Sequence, residues 1–273
     1  MTCDIEILSI GNELLIGKIL NTNSHWLAKQ ATNLGINVKR ITVLPDNAEE
    51  TSRAIRETLK RKPQFVITTG GLGPTFDDKT LETIAKALKR ELEVNQEALR
   101  MIEEKYRAYA ARTGDSVELT QPRIKMATFP ENSTPIHNPV GTAPAMRIDL
   151  EDTVLIALPG VPREMEAIFQ ETIASLLQQS SCGNRFFEES IYVNGIMESV
   201  LAPLIDDTMR ENPGIYIKSH PKGEEKKPHI EIHFSTTAIN KHETQEKLHK
   251  AVTHLSEAIK KNNGRILPKQ ELA

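Results

Sequence analysis

Cysteine is scarce in this chain: two residues among 273, Cys3 and Cys182. Two isolated thiols build neither a disulfide framework nor a cysteine-based metal site, and their scarcity fits a reduced, cytoplasmic setting. No apolar run approaches the roughly 18 residues of a membrane span. The opening Met1-Thr2-Cys3-Asp4-Ile5-Glu6 lacks the basic segment and long apolar stretch of a secretory leader, so none is expected. Positive charge is not in excess either. A formal net charge of -3 argues against a large nucleic-acid footprint and leaves room only for a local basic patch. Aromatic residues make up 4%, and the one tryptophan, Trp26, falls at helical spacing with Leu27 and Leu34 and reads as core. A G-x-S-x-G nucleophile elbow is missing, as are the closely spaced helical glutamates of one class of pyrophosphate hydrolase, and no internal repeat is visible.

The length suggests two domains. In the first, short apolar runs alternate with helical patterns. Ile5–Ile10, Val38–Leu44, Gln64–Thr69 and Thr153–Leu158 read as strands. Asn21–Leu34, Ala48–Arg61 and a region from Pro162 to about Leu177 read as helices, and Asp77 to about Arg112 as a long helical region broken near Glu93-Val94-Asn95. This alternation predicts a mostly parallel sheet covered on both faces. Between Thr113 and Ile148 five prolines and Gly141 point to short strands and turns with an antiparallel excursion. The small polar run 178–184 reads as a boundary, giving domains 1–178 and 185–273. In the second, strands Ser190–Val193, Ile215–Ser219 and His229–Phe234, helices Met197–Met209 and Lys241–Lys261, and a charged, solvated turn at 222–227 predict a small α+β unit.

The most informative stretch is Thr68-Thr69-Gly70-Gly71-Leu72-Gly73-Pro74-Thr75-Phe76-Asp77-Asp78. A strand, a glycine loop and a helix start in that order make an anion site, because loop N–H groups and the helix N-terminus converge on a phosphate. Thr75 and Asp78 also have the spacing of a capping box, but three glycines and the second acid at Asp77 exceed what a cap needs. Two carboxylates repel a bound phosphate unless a divalent cation lies between them. Phe76 stands where a dinucleotide fingerprint requires its third glycine. Gly11-Asn12-Glu13-Leu14-Leu15-Ile16-Gly17-Lys18 imitates a phosphate loop but has five residues between its glycines, and Ile19 replaces the metal-binding hydroxyl. Asn12 and Glu13 nonetheless follow a strand end, where open α/β sheets place ligands. Asp46 does too, and it can equally cap the next helix. Asn138–Pro144 is an ordered loop, either structural or part of a site. Arg163 in a first helical turn opposes the macrodipole, which suggests a phosphate or carboxylate contact. His229, Glu231 and His233 imitate a metal triad along one strand face, but this face and the histidines of the last helix read as solvated surface.

Six segments, in this order, resemble the N-terminal region of CinA (competence/damage-inducible) proteins and, more widely, the MoaB/Mog molybdopterin-binding domain. They are Gly11–Leu15 with Gly17, Thr22-Asn23-Ser24 with Leu27-Ala28, Asp46-Asn47, Thr68–Asp78 with Thr80, Asn138–Pro144 and Leu158–Met165. The resemblance implies a three-layer α/β/α domain followed by a small KH-like α+β domain, a homodimer, and a nucleotide or pterin as ligand. It implies a divalent metal such as magnesium, with a monovalent cation as a second candidate. It points to metal-dependent hydrolysis of a nucleotide pyrophosphate, ADP-ribose to AMP and ribose 5-phosphate; the alternatives are molybdopterin binding or adenylylation, and a silent nucleotide sensor. Carried to matching positions, Asp46, Asp78 and Glu13 are the catalytic candidates, and Asp77 and Asp78 the metal ligands. Asn12, Gly70, Gly71, Gly73, Thr75, Asn138, Gly141, Thr142, Gly160 and Arg163 are the substrate-binding candidates. Ala145 departs from a common glycine. The second unit lacks the G-x-x-G of RNA-binding KH domains, and no nicotinamide-mononucleotide deamidase domain is expected in these 273 residues.

Overall fold

The computed structural model describes residues 3–113, 118–222 and 229–268; the charged turn read at 222–227 lies, beyond Lys222, outside them. The chain divides into two compact units, Met1–Ser181 and Cys182–Ala273. The first begins β1 (Asp4–Ile10), α1 (Asn12–Leu15), α2 (Thr22–Asn33), β2 (Asn37–Leu44), α3 (Ala48–Lys60), β3 (Phe65–Thr69), α4 (Thr80–Leu88) and β4 (Leu92–Val94). It continues α5 (Gln96–Thr113), α6 (Gln121–Lys125), β5 (Thr128–Pro130), β6 (Thr134–Ile136), β7 (Ala145–Asp149) and β8 (Val154–Leu158). A final helix runs as α7 (Pro162–Ile168), a π-helical turn at Phe169–Ile173, and α8 (Ala174–Ser180).

The main sheet has the order β2-β1-β3-β8-β7-β6. β2, β1, β3 and β8 are mutually parallel, and β7 runs antiparallel to both β8 and β6. Strands buried on both faces read as continuous apolar runs, with alternate side chains entering opposite layers. Leu8, Ile10 and Val66 join Ile55 of α3, Ile84 of α4 and Ile102 of α5 in one core. Ile5, Ile7 and Ile67 join Leu27 of α2 and Met165 and Ile168 of α7 in the other. The result is an α/β/α sandwich whose parallel strands end together at one edge.

The helical region read over 77–112 is two helices, divided at β4 (Leu92–Val94), where the break near Glu93-Val94-Asn95 is expected. Lys89 turns left-handed (φ 55) and ends α4. After β4, which pairs antiparallel with β5, the Asn95 side chain accepts the N–H groups of Glu97 and Ala98 and starts α5. In the second unit β9 (Arg185–Asn194), β10 (Tyr216–Lys222), β11 (His229–Ala238) and β12 (Arg265–Leu267) form an antiparallel sheet in the order β10-β11-β9-β12. With α9 (Glu198–Glu211) and α10 (Lys241–Lys261) it encloses a core of Val193, Leu201, Ile232, Phe234, Leu255 and Ile259. β9 is longer than its apolar segment suggested. No described helix is long and apolar enough to cross a membrane.

Candidate active site

A cavity of about 600 Å³ opens where β1, β2, β3 and β8 end, the edge at which open α/β sheets collect ligands. Its floor is the glycine loop. Gly70 has φ 108, and a Cβ there would lie 2.2 Å from the Ile10 carbonyl oxygen, so no other residue fits. Thr80 fastens the loop to α4: its hydroxyl donates to the Gly70 carbonyl (2.8 Å) and its N–H to the Gly71 carbonyl (3.1 Å). The N–H groups of Gly71, Leu72 and Gly73 have no acceptor among the described residues, which leaves three consecutive donors for an anion.

Thr75–Asp78 does not cap a helix, contrary to its spacing. α4 starts only at Thr80, and its N-cap position is Lys79. The four residues close on themselves instead. Asp78 Oδ2 accepts the Thr75 N–H (2.9 Å) and hydroxyl (2.6 Å), and that hydroxyl also lies against Asp77 Oδ1. Thr75 is the main reason the Asp77 carboxyl sits below its usual range; Asp77's own N–H and the charge of Lys125 act the same way, against slight desolvation. Lys125, at the end of α6, donates to the Thr75 carbonyl.

Across the cavity Asp46 and Asn12 hold one another. Asp46 Oδ2 accepts the Asn12 N–H (2.8 Å), and the Asp46 N–H donates to Asn12 Oδ1 (3.3 Å). The capping alternative for Asp46 falls away, because Asn47 does that work by accepting from Glu49 and Glu50. Asn23 of α2 donates to the Thr69 hydroxyl (3.0 Å) and the Gly160 carbonyl (2.8 Å) and so ties α2 to two strand ends.

Glu13, Asp46, Asp77, Asp78, Gly70, Gly71, Gly73, Thr142 and Gly160 lie in the cavity wall. Asn12, Thr75, Asn138, Gly141 and Arg163 do not. Asn12 and Thr75 act behind it, on Asp46 and on the acid pair. Asn138 is buried and fully engaged: it donates to the Ala143 carbonyl and to Glu164 Oε2 (2.7 Å) and accepts from Val140 and Gly141. It holds the loop and has no capacity left for substrate. Gly141 lets the Glu164 carboxylate lie against the loop, since a Cβ there would force that side chain to shift. Arg163 is exposed on the first turn of α7, outside the wall. Glu164, Asn23 and Tyr106, none of them singled out by spacing, do line the cavity.

The wall thus carries five carboxylates (Glu13, Asp46, Asp77, Asp78 and Glu164), and no lysine, arginine or histidine among the described residues. Such a wall repels a phosphate unless a cation intervenes. Among the described residues no three histidine, cysteine or acidic side chains converge into a metal cage. Magnesium asks for less: one or two carboxylates, with phosphate oxygens and water completing its octahedron. The adjacent Asp77 and Asp78 meet that demand, each with an oxygen not taken up by Thr75.

Residues 6–179 match the family described as probable molybdopterin binding domain. A protein of Caldivirga maquilingensis is 44% identical over 259 residues, 94% of this chain and 97% of its own length. One of Sulfurisphaera tokodaii is 41% identical over 263 residues, 96% and 97% respectively. Among solved structures, the protein CinA of Thermoplasma acidophilum, whose function is described as unknown, is 37% identical, with a TM-score of 0.59 over 64% of this chain and 98% of its own.

Proposed function

Because this chain belongs to the probable molybdopterin binding domain family, with a first unit of the CinA N-terminal, MoaB/Mog-like kind, we propose that it is a divalent-metal-dependent hydrolase of nucleotide pyrophosphates, with ADP-ribose as substrate and AMP and ribose 5-phosphate as products. One observation carries this reading: an amide cradle for phosphate set in a wall of five acids with no basic side chain among the described residues. A divalent ion held by Asp77 and Asp78 would offset that negative charge and acidify a water.

The chain's own groups supply the rest. The N–H groups of Gly71, Leu72 and Gly73 hold one phosphate and meet the charge that develops on its oxygens. Asp46 has Oδ2 occupied by the Asn12 N–H, so Oδ1 is the atom free to take a proton from the attacking water. The water oxygen bonds to phosphorus, the P–O–P bridge breaks, and the departing phosphate leaves with the bridging oxygen. Glu13, next to Asn12 in the chain and itself in the wall, gives that water a second acceptor. Asn23 and Asn138 do not react. They hold the Gly160 and Glu164 sides of the wall in place.

The family's description favours a second reading, a molybdopterin bound in the same cavity, with its adenylylation there as the matching reaction. A screen of divalent metals against ADP-ribose, FAD and related dinucleotides, with chromatography of the products, separates the two. Metal-dependent release of AMP supports hydrolysis. No turnover with any pair, together with copurifying pterin fluorescence, would transfer the site to the second reading.

A further inference from the structure

The acid wall has its counter-charge behind it. Three basic side chains from the segment between β4 and β5 each touch an element that shapes the cavity. Lys105 donates to the Pro139 carbonyl (2.9 Å) in the loop held by Asn138. The Arg123 guanidinium lies 3.5 Å from the ring centroid of Tyr106, a wall residue. Lys125 donates to the Thr75 carbonyl, in the four-residue turn that carries Asp77 and Asp78. Of the three, Lys125 alone holds the acids' own turn. Among the described residues that turn is otherwise secured by itself, through Asp78 Oδ2 on the Thr75 N–H and hydroxyl, that hydroxyl against Asp77 Oδ1, and the Asp78 N–H on the Thr75 carbonyl (3.3 Å). The ammonium therefore shares the carbonyl that closes the turn. It also flanks a small second hollow lined by Gly71, Leu72, Gly73 and Asp78, on the glycine loop.

We propose that Lys125 is a positioning residue: by clamping the Thr75 carbonyl it fixes where the Asp77 and Asp78 carboxylates stand, and so sets the affinity of the site for a divalent cation. The clamp stands on the contacts alone. Its consequence for the cation rests on the proposed role of the two aspartates. Position and charge make opposite demands here. A lysine next to a cation site weakens cation binding by repulsion, so its removal tightens binding if charge is all it contributes. If it holds the ligands in place, its removal weakens binding, as loss of an outer-shell partner does.

The full-length protein, its K125M variant and K125R serve for the test. Amide hydrogen exchange without metal should be about 10-fold faster at Thr75 and Asp78 in K125M, the scale of one charge-assisted hydrogen bond. Strand amides of β1 and β3 should keep their rates, as should most of the turn in K125R. Mn²⁺ binding, followed by electron paramagnetic resonance, should weaken by about 10-fold or more in K125M and recover largely in K125R. Unchanged exchange at Thr75 and Asp78, or tighter Mn²⁺ binding in K125M, would overturn the clamp. Failure of the unsubstituted protein to bind Mn²⁺ would instead sink the metal-dependent reading of the site, and the exchange rates would still decide whether Lys125 holds the turn.

Discussion

Replacing Asp78 with asparagine separates catalysis from folding. In the native turn Asp78 Oδ2 accepts two hydrogen bonds from Thr75, at 2.9 and 2.6 Å, while its other oxygen accepts none among the described residues. Asparagine is nearly isosteric and can present its own carbonyl oxygen to Thr75, so most of the turn survives. A partly exposed, partly retained interaction of this kind is worth at most about 1 kcal/mol. For a unit the size of Met1–Ser181 that moves the melting temperature by about 2–4 °C. Losing one of five wall carboxylates even removes some repulsion, which narrows the shift further. Turnover responds differently. A neutral amide is a poor ligand for a hard divalent ion, and loss of half of the acid pair should slow ADP-ribose hydrolysis by about 100-fold or more, roughly 2.7 kcal/mol of transition-state stabilisation. Chromatographic AMP release at saturating magnesium and a thermal melt without metal measure the two quantities. D152N, which breaks the exposed Lys62–Asp152 pair (2.7 Å) far from the cavity wall, is the control and should leave turnover unchanged. D78N turnover within about 3-fold of the unsubstituted protein would refute the role of Asp78.

Three further substitutions probe the frame. Gly70→Ala puts a methyl group 2.2 Å from the Ile10 carbonyl at φ 108; strain and overpacking together should lower stability by about 2–5 kcal/mol, read in urea melts, and a near-native midpoint would contradict the stated close approach. Arg61→Met strands the buried Glu6 carboxylate, which Arg61 grips through both oxygens (2.7 and 2.5 Å); since the arginine is itself partly exposed, a loss of about 2–3 kcal/mol is expected by the same melts. Thr75→Val removes the hydroxyl that holds the Asp77 carboxyl low. A depressed folded-state pKa contributes stability above the ordinary aspartate range and loses it as pH falls through the folded value. The variant should therefore titrate Asp77 closer to an ordinary aspartate in a carboxyl-detected NMR experiment, and an unmoved titration would show that Thr75 is not the cause.

Much of the frame could be read locally. β1, β3 and β8 are short, unbroken apolar runs because both faces are covered, and Gly70–Asp78 stands out because its composition exceeds what a turn needs. The errors came where a local pattern met a distant partner. Thr75 and Asp78 satisfy the capping spacing, yet the bonds from Thr80 to the Gly70 and Gly71 carbonyls decide where α4 begins. Asn138 occupies a loop shared with Thr142, a wall residue, but Glu164, distant in sequence, absorbs its remaining donor. Arg163 opposes the helix dipole as expected of a ligand contact, but it is exposed and does not line the wall. Lys125 lies in a proline-rich stretch where no periodicity points to Thr75, fifty positions earlier. β12 is three residues long and is defined by its pairing with β9.

Asn23 reaches the Gly160 carbonyl across 137 positions, and Asn12 meets Asp46 across 34. A nascent polypeptide leaving the ribosome thus exposes four of the five wall acids long before Gly160 and Glu164 emerge to complete the enclosure. Loop closures this distant are entropically late events. The wall is therefore complete only once the strand and helix at the end of the first unit are in place, and a small molecule that binds only the complete wall would stabilise finished copies over partial ones.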